Sequence, residues 1–465
     1  MRLLCLRILT RSASATILTL ALSACATVYN LPTNVPLGAD IAGNDIGKPV
    51  PIYDDDLLLA LSFSGGGTRA AAFSFGVLTE LDRIRSSSNQ TKSLLDRVDF
   101  VSGVSGGSVT AAYFGLKRRE ALVDFRERFL LRNAEEDLRT RVSLVNLSRA
   151  LGGGVNDVQF TEWLDQNLFD GARYEAFREE RRPRVWINAS DIFNRTPFVF
   201  GKTSFDALCS DLNAFRISEA VSASAAVPLA FAPIVLQTFP GGCTTPLPPW
   251  LERARNNPTA QPLLRSFAEA MERYRDGSMK FVKLLDGGLV DNFGLTGFSL
   301  GLLAAQHPYE PMTERQAVRV KRIMFVVADA GRGVSGDFVQ TVEGPTGTQL
   351  VSAVADTAID SSTRLSYAAF SALLTDWVAR VKSWRCGLSA ANRAKLAVSE
   401  GWRCNDLSLY IDLISFGQLG EPRTSQLNAI PTRFSLPAQD IDLLVTSGAE
   451  ALHRSSTFQA FRRGL

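Results

Sequence analysis

The chain has 465 residues, 46% of them hydrophobic and 21% charged, with a formal net charge of +3. The first 24 residues hold three arginines and no acid, so the remainder is formally neutral, which argues against nucleic acid as a partner because phosphate binding needs a clustered excess of Lys and Arg. The composition also excludes a disordered or collagen-like chain.

In chain order, Arg2, Arg7 and Arg11 flank and precede an apolar stretch, Ala13 to Leu22, that is too short for a membrane span. This is the pattern of an export signal over residues 1–24. It ends in Leu22-Ser23-Ala24-Cys25, which resembles the lipobox of bacterial lipoproteins. That resemblance implies cleavage before Cys25 and acylation of its sulfur and amine. With Ala26 rather than Asp next, it implies an outer-membrane address in the bacterial envelope. Several acyl chains, at ~0.8 kcal/mol per buried CH₂, make such an anchor nearly permanent. Residues 25–56 carry Pro32, Pro36, Pro49 and Pro51 and no apolar period, and read as a tether or surface-hugging leader.

Regular structure is expected from Leu57. Leu57–Phe63 is a continuous apolar run suited to a buried parallel strand. Further strands are expected at Val98–Val101, Val185–Ala189, Phe281–Leu285, Ile323–Ala328 and Leu407–Ile414. Helical patterns follow Arg69 and Gly107 and recur near 120–140, 157–168, 217–226, 263–275, 294–306, 350–382 and 439–452. Strands alternating with helices predict an α/β fold with a mostly parallel sheet flanked by helices. Gly152-Gly153-Gly154 reads as a loop before a helix cap, and Gly241 to Pro249 as a proline-rich rim loop or lid. Phe458 and Phe461 read as packing anchors.

Ser64-Gly65-Gly66-Gly67-Thr68-Arg69 lies between the first strand and its helix. Glycines there let successive N–H groups point outward at a helix N-terminus, a nest for an anion. That anion is either a dinucleotide pyrophosphate, since Gly65-x-Gly67-x-x-Ala70 formally fits the fingerprint, or the oxyanion of an acyl intermediate. Forty residues on, Gly103-Val104-Ser105-Gly106-Gly107 sits where a strand turns into a helix, as in a nucleophile elbow. Only His307 and His453 exist as candidate bases, and both read as surface or capping residues. Asp286, in Leu285-Asp286-Gly287-Gly288 at a buried strand's end, is the better base, because burial there would raise its pKa.

These blocks, with Ser218 to Pro228 and Phe231-Ala232-Pro233 between them, resemble the patatin-like phospholipases. The resemblance covers about residues 57–295 and implies a Ser105–Asp286 dyad without histidine, acting on acyl esters of membrane lipids and needing no cofactor. It implies an oxyanion hole drawn from Gly65, Gly66, Gly67 and Gly106, supported by Gly103, Gly107, Gly287 and Gly288. Arg69 would brace the loop or meet a lipid phosphate. Ala70 departs from the plant patatins, where a glycine is usual. The domain division expected is a catalytic domain at 57–340 and a helical C-terminal extension, 341–465, packing on it. A catalytically silent lipoprotein that uses the fold for binding is the competing reading.

No metal site is expected. There is no C-x-x-C pair and no D-x-D-x-D-G loop, and Asp54-Asp55-Asp56 reads as a solvated edge cluster. Cys209, Cys243, Cys386 and Cys404 remain as free thiols or as disulfides. The sequence-local pairing is Cys209–Cys243 with Cys386–Cys404, each contributing roughly 3 kcal/mol by loop closure.

Overall fold

The computed structural model describes residues 30–38, 56–85, 92–136, 138, 153–156, 158–178, 183–228, 230–333, 337–340 and 342–465. The expected signal and residues 25–29 and 39–55 of the expected tether, Cys25 included, lie outside the described residues. Residues 30–38 are not a free tether. Asn34 exchanges hydrogen bonds with the backbone of Gln237 (2.9 and 2.8 Å), and the Leu37 N–H donates to the Cys209 carbonyl.

Eight strands form one mixed sheet: β1 (Leu57–Phe63), β2 (Val98–Val104), β3 (Arg184–Asp191), β4 (Thr196–Phe200), β5 (Ile234–Gln237), β6 (Phe281–Asp286), β7 (Arg322–Asp329) and β8 (Ser408–Ser415). Their spatial order is β5-β6-β3-β2-β1-β7-β8, with β4 also paired to β3. The pairs β3–β2, β2–β1, β1–β7 and β7–β8 are parallel, whereas β3–β4, β3–β6 and β5–β6 are antiparallel. β1 and β7 read as nearly continuous apolar runs because both faces are covered. In β1, Leu57, Leu59, Leu61 and Phe63 join one core cluster, while Leu58 and Ala60 join the cluster on the opposite face.

The helices that matter to the site are α1 (Gly67–Arg83), α2 (Gly106–Lys117), α3 (Ile217–Ser224), α4 (Thr296–Ala304), α5 (Gly347–Cys386), α6 (Ala438–Arg454) and α7 (Ser456–Arg462). α5 starts at a capping box formed by Thr346 and Gln349. It buries Phe370, Leu374, Trp377, Val378 and Val381, which recur at helical spacing on one side. α1 is nearly all buried and makes the most extensive helix–helix contact of the fold, with α6. Its cause is compositional. A Cβ at Gly76 would sit 2.1 Å from the Val445 carbonyl oxygen, and one at Gly448 2.0 Å from that of Phe73, so two glycines let the backbones touch.

The C-terminal segment is mostly helical and packs on the same body. It also supplies β8, which lines the β7 edge, and α7, whose Phe458 and Phe461 are fully buried. Cys209 is bonded to Cys243 and Cys386 to Cys404, with Cα–Cα distances of 5.4 and 4.9 Å. The segment from Gly241 to Pro249 is tied down through Cys243 and through Thr245, whose carbonyl accepts from Arg275.

Candidate active site

Three turns meet at the carboxyl ends of the parallel strands. β1 and β2 run in register with Phe63 beside Gly103, so the glycine nest and the serine turn leave the sheet at one level. β6 runs the other way along β3 and ends with Asp286 beside Ala189, one step beyond the Val104–Asn188 pair. Antiparallel pairing thus delivers the carboxylate to the level of Ser105. A sheet of parallel strands alone would have needed a longer connection to do so.

Ser105 sits between β2 and α2 at φ 50°, ψ −124°, a conformation that non-glycine residues rarely adopt. The strain is held by four hydrogen bonds. Its N–H donates to Ser224 Oγ (2.9 Å), and that hydroxyl donates to the Asn188 carbonyl (2.6 Å). The Ser105 carbonyl accepts from the Ser108 hydroxyl (2.6 Å) and N–H (2.9 Å). The turn closes only because its neighbours lack side chains. A Cβ at Gly106 would lie 1.8 Å from the Gly67 carbonyl oxygen, and others at Gly103 and Gly107 would lie 2.6 and 2.5 Å from backbone oxygens. The elbow and the nest are therefore in direct backbone contact.

In the nest, Gly66 and Gly67 adopt φ 139° and 59°. Among the described residues, the N–H groups of Gly66, Gly67 and Gly106 meet no acceptor. Gly65 differs from expectation. Its N–H donates to the backbone and side-chain oxygens of Asn292, both at 3.2 Å, so it is occupied and not an open donor. Its place is steric: a Cβ there would be 2.5 Å from Asn292 Oδ1 and 3.3 Å from the Ser105 Cβ.

Asp286 is 8% exposed. Its N–H donates to Ala226 O and its carbonyl accepts from the Ser190 hydroxyl (both 2.8 Å). The carboxylate accepts from the Gly288 N–H at 2.8 Å. Burial raises its pKa to about 6, opposed by the Gly288 N–H and by the Ser105 hydroxyl that faces it. The two side chains face each other without a well-formed hydrogen bond, the looser geometry common in such pairs before substrate docks. The Gly287 N–H donates to the Ser224 carbonyl (3.1 Å), so Ser224 at the end of α3 holds both the serine turn and the aspartate turn.

Arg69 is 2% exposed and braces the loop. Its Nε donates to Ala330 O (2.9 Å) and its NH1 to Ile430 O (3.0 Å). Burial, with Arg332 nearby, lowers its pKa to about 10. Buried in this way, its guanidinium faces carbonyls and not a lipid headgroup. The two histidines stand apart from the site. His307 is exposed and stacks on Tyr309, while His453 Nδ1 lies 2.8 Å from Glu80 Oε1. Asp56 pairs with Arg322 (2.7 Å) and Arg97 (3.6 Å), and Asp54 and Asp55 lie outside the described residues. Among the described residues no three His, Cys, Asp or Glu side chains cluster as metal ligands.

Ser224 and Asn292 were not singled out by sequence reasoning. Ser224 lies inside the block that resembles the family, but its role depends on α3 reaching two turns at once. Asn292 follows the Asp286-Gly-Gly turn by a few residues, and only the fold brings it against Gly65.

A search of curated proteins finds no match to this chain. Among solved structures, the chain is similar to human GIVD cytosolic phospholipase A2, with a TM-score of 0.42 and 13% identity. That likeness covers 88% of this chain and 62% of the human protein, so this chain spans less than two thirds of it. The family described as patatin-like phospholipase matches residues 61–298, just over half of the chain and including the nest, the serine turn and Asp286. The chain belongs to the patatin-like phospholipase family.

Proposed function

We propose that the protein is a serine acyl hydrolase that cleaves ester bonds of membrane phospholipids through an acyl-enzyme. The observation that carries this reading is the strained, buried Ser105 facing the Asp286 carboxylate beside three N–H groups that meet no acceptor among the described residues. In the acylation step Ser105 Oγ attacks the ester carbonyl carbon while Asp286 takes the hydroxyl proton. The carbonyl oxygen becomes an oxyanion held by the N–H groups of Gly66, Gly67 and Gly106. Collapse breaks the ester C–O bond, and the departing lipid alcohol takes the proton from Asp286. Water, deprotonated by Asp286, then hydrolyses the acyl-serine and releases a fatty acid. Each oxyanion donor in such a site is worth ~3 kcal/mol of barrier.

We infer from the lipobox that Cys25 anchors the protein in the outer membrane of a bacterial envelope, which would keep the site against its substrate. Two experiments test these readings. A fluorophosphonate should label the folded protein on Ser105, and Ser105→Ala should not be labelled. Product analysis of total envelope lipids incubated with wild type and Ser105→Ala identifies the ester cleaved. Equal labelling of the two proteins would sink the dyad, and a protein with no ester turnover at all would favour the binding-only alternative. Separately, Cys25→Ser should remain uncleaved or leave the detergent phase. Normal processing and partitioning of that variant would rule out the anchor.

A further inference from the structure

Residues 30–38 fix where the chain enters the fold. Asn30 is 5% exposed, and its side-chain amide donates to the Ala232 and Pro233 carbonyls at 3.3 and 3.0 Å. Thr33 donates to the Glu219 carboxylate, and the bonds between Asn34 and Gln237 continue the attachment along β5. Ile234, which opens β5, pairs with Leu284 of β6, two residues before Asp286. With neighbouring strands ~4.8 Å apart, Asn30 lies roughly 10–15 Å from the Asp286 backbone. The chain thus enters beside the candidate active site.

Five residues separate Asn30 from Cys25 and span at most about 18 Å when fully extended. From Cys25 to Ala39 the sequence carries no charged residue. Around the entry point, three exposed apolar side chains border one loop. Leu31, 73% exposed, follows Asn30. Val227 is 39% exposed, and its carbonyl accepts from the Phe231 N–H. Val158 is 36% exposed and lies two residues beyond Asn156, which bridges to Phe231. The loop itself, Val227-Pro228-Leu229-Ala230-Phe231-Ala232-Pro233, contains no polar side chain. Ala226, just before it, accepts the Asp286 N–H, so this apolar border is continuous with the candidate dyad. Apolar residues scattered over a surface are ordinary, whereas a cluster beside a site and an anchored leader marks an interaction face.

We propose that Leu31, Val158 and Val227 form a collar that rests on the bilayer holding the Cys25 anchor, and that the short leader keeps it there. The occupant of this face is the lipid surface itself. A domain of this length has a radius of gyration of roughly 22 Å, so a leash of about 18 Å cannot carry its opposite face to the same bilayer. Apolar area removed from water at the collar adds to the hold of the acyl chains. The uncharged leader brings no ionic group that must shed water at the headgroups. The candidate dyad then opens toward lipids of the membrane in which the protein is anchored. The inference rests on the Cys25 anchor proposed above and is independent of the chemistry assigned to Ser105.

The test uses mature Ser105→Ala protein in vesicles of phosphatidylethanolamine and phosphatidylglycerol with doxyl-labelled phosphatidylcholine. With Cys25 acylated and the other mature cysteines paired, Leu31→Cys, Val158→Cys and Val123→Cys each provide one thiol for a polarity-sensitive fluorophore. Val123 is the control. It is 79% exposed and follows Arg119, which pairs with Asp96 ahead of β2, at the opposite end of that strand from Ser105. Probes at 31 and 158 should be blue-shifted and quenched roughly threefold more than the probe at 123, since docked apolar faces sit ~5–10 Å into the headgroup boundary. Equal quenching at all three positions, or none at 31 and 158, would overturn the collar. A blue-shifted probe at 31 that the doxyl lipid does not quench would assign the face to a protein contact and overturn the bilayer. Inserting about 20 Gly and Ser residues between Tyr29 and Asn30 lengthens the leash by roughly 25 Å. Quenching at 158 should then fall, and unchanged quenching would overturn the role of the leader. Mass spectrometry of the amino-terminal peptide separates the two readings. Unacylated Cys25 overturns the anchor and this inference with it, whereas acylated protein with unquenched probes overturns the collar alone. With Ser105 intact, Leu31→Asp combined with Val158→Asp should slow turnover of vesicle phospholipid roughly tenfold and leave fluorophosphonate labelling unchanged. Undiminished vesicle turnover would overturn the collar.

Discussion

Asp286 sets burial against ionisation. A carboxyl group moved from an ordinary 3.8 to about 6 is a usable base near neutral pH, but the folded protein must then hold an ill-solvated charge. In the proposed mechanism the base acts only when ionised, so kcat/KM should fall as pH drops through about 6, and a pH–rate profile checks this. The same shift has a signature in stability. The native state binds the proton more tightly than the unfolded chain, so ionised Asp286 destabilises the fold by about 3 kcal/mol at pH 8, and the penalty fades as pH falls from 6 toward 4. Asp286→Asn keeps an acceptor for the Gly288 N–H and removes the charge. It should therefore lower the acylation rate by several orders of magnitude while stabilising the protein by about 2–3 kcal/mol at pH 8 and by under about 1 kcal/mol at pH 4. Urea melts of the two proteins at both pH values decide this. The histidines provide the control: changing His307 and His453 together to Gln should leave most of the activity. A dead double variant beside an active Asp286→Asn would mean that a triad operates and the dyad is wrong.

At the scale of elements, the site is a product of how turns are held, and Ser224 tests this. Its hydroxyl is fully buried and takes the Ser105 N–H while giving its proton to Asn188 O. Ser224→Ala takes the acceptor from the Ser105 N–H and one donor from the Asn188 carbonyl, which should lower stability by about 2 kcal/mol. It should also slow fluorophosphonate labelling tenfold or more with little change in KM, because the serine turn loses a restraint that substrate binding does not replace. An unchanged labelling rate would show that the elbow holds its shape without α3. The sequence already displayed the elements that are covered on both faces: β1 and β7 are nearly continuous apolar runs because two layers bury them, whereas β2 and β3 interleave buried polar residues such as Ser102 and Asn188. It hid β4, Thr196-Pro-Phe-Val-Phe200, and β5, Ile234-Val-Leu-Gln237, which are short and antiparallel and take their place from β3 and β6. In the candidate site, the turns that carry Ser105, Asp286 and the glycines were legible because sharp turns demand particular residues at fixed offsets. The occupation of the Gly65 N–H by Asn292 was not, since it depends on two turns more than two hundred residues apart in the chain.

Over the whole molecule, the nest is held from far outside the segment that matches the family. Thr68 N–H donates to Arg433 O at 2.8 Å and Arg69 to Ile430 O at 3.0 Å, and both acceptors lie beyond residue 298. α1, which begins in the nest, is clamped by α6 through Gly76 and Gly448. The C-terminal segment is thus part of the oxyanion machinery in the proposed mechanism, although it carries none of the expected catalytic residues. Gly448→Val tests that coupling. The new side chain would enter the space of the Phe73 carbonyl, 2.0 Å from the built Cβ, and must push α6 away from α1. Overpacking of this kind typically costs about 1–3 kcal/mol, so the protein should remain folded but melt earlier. If the clamp sets the nest, labelling of Ser105 should also slow, well below the melting transition, and limited proteolysis should cut between residues 420 and 437 where the wild type resists. A variant that melts earlier yet labels at the wild-type rate would confine the C-terminal segment to stability alone.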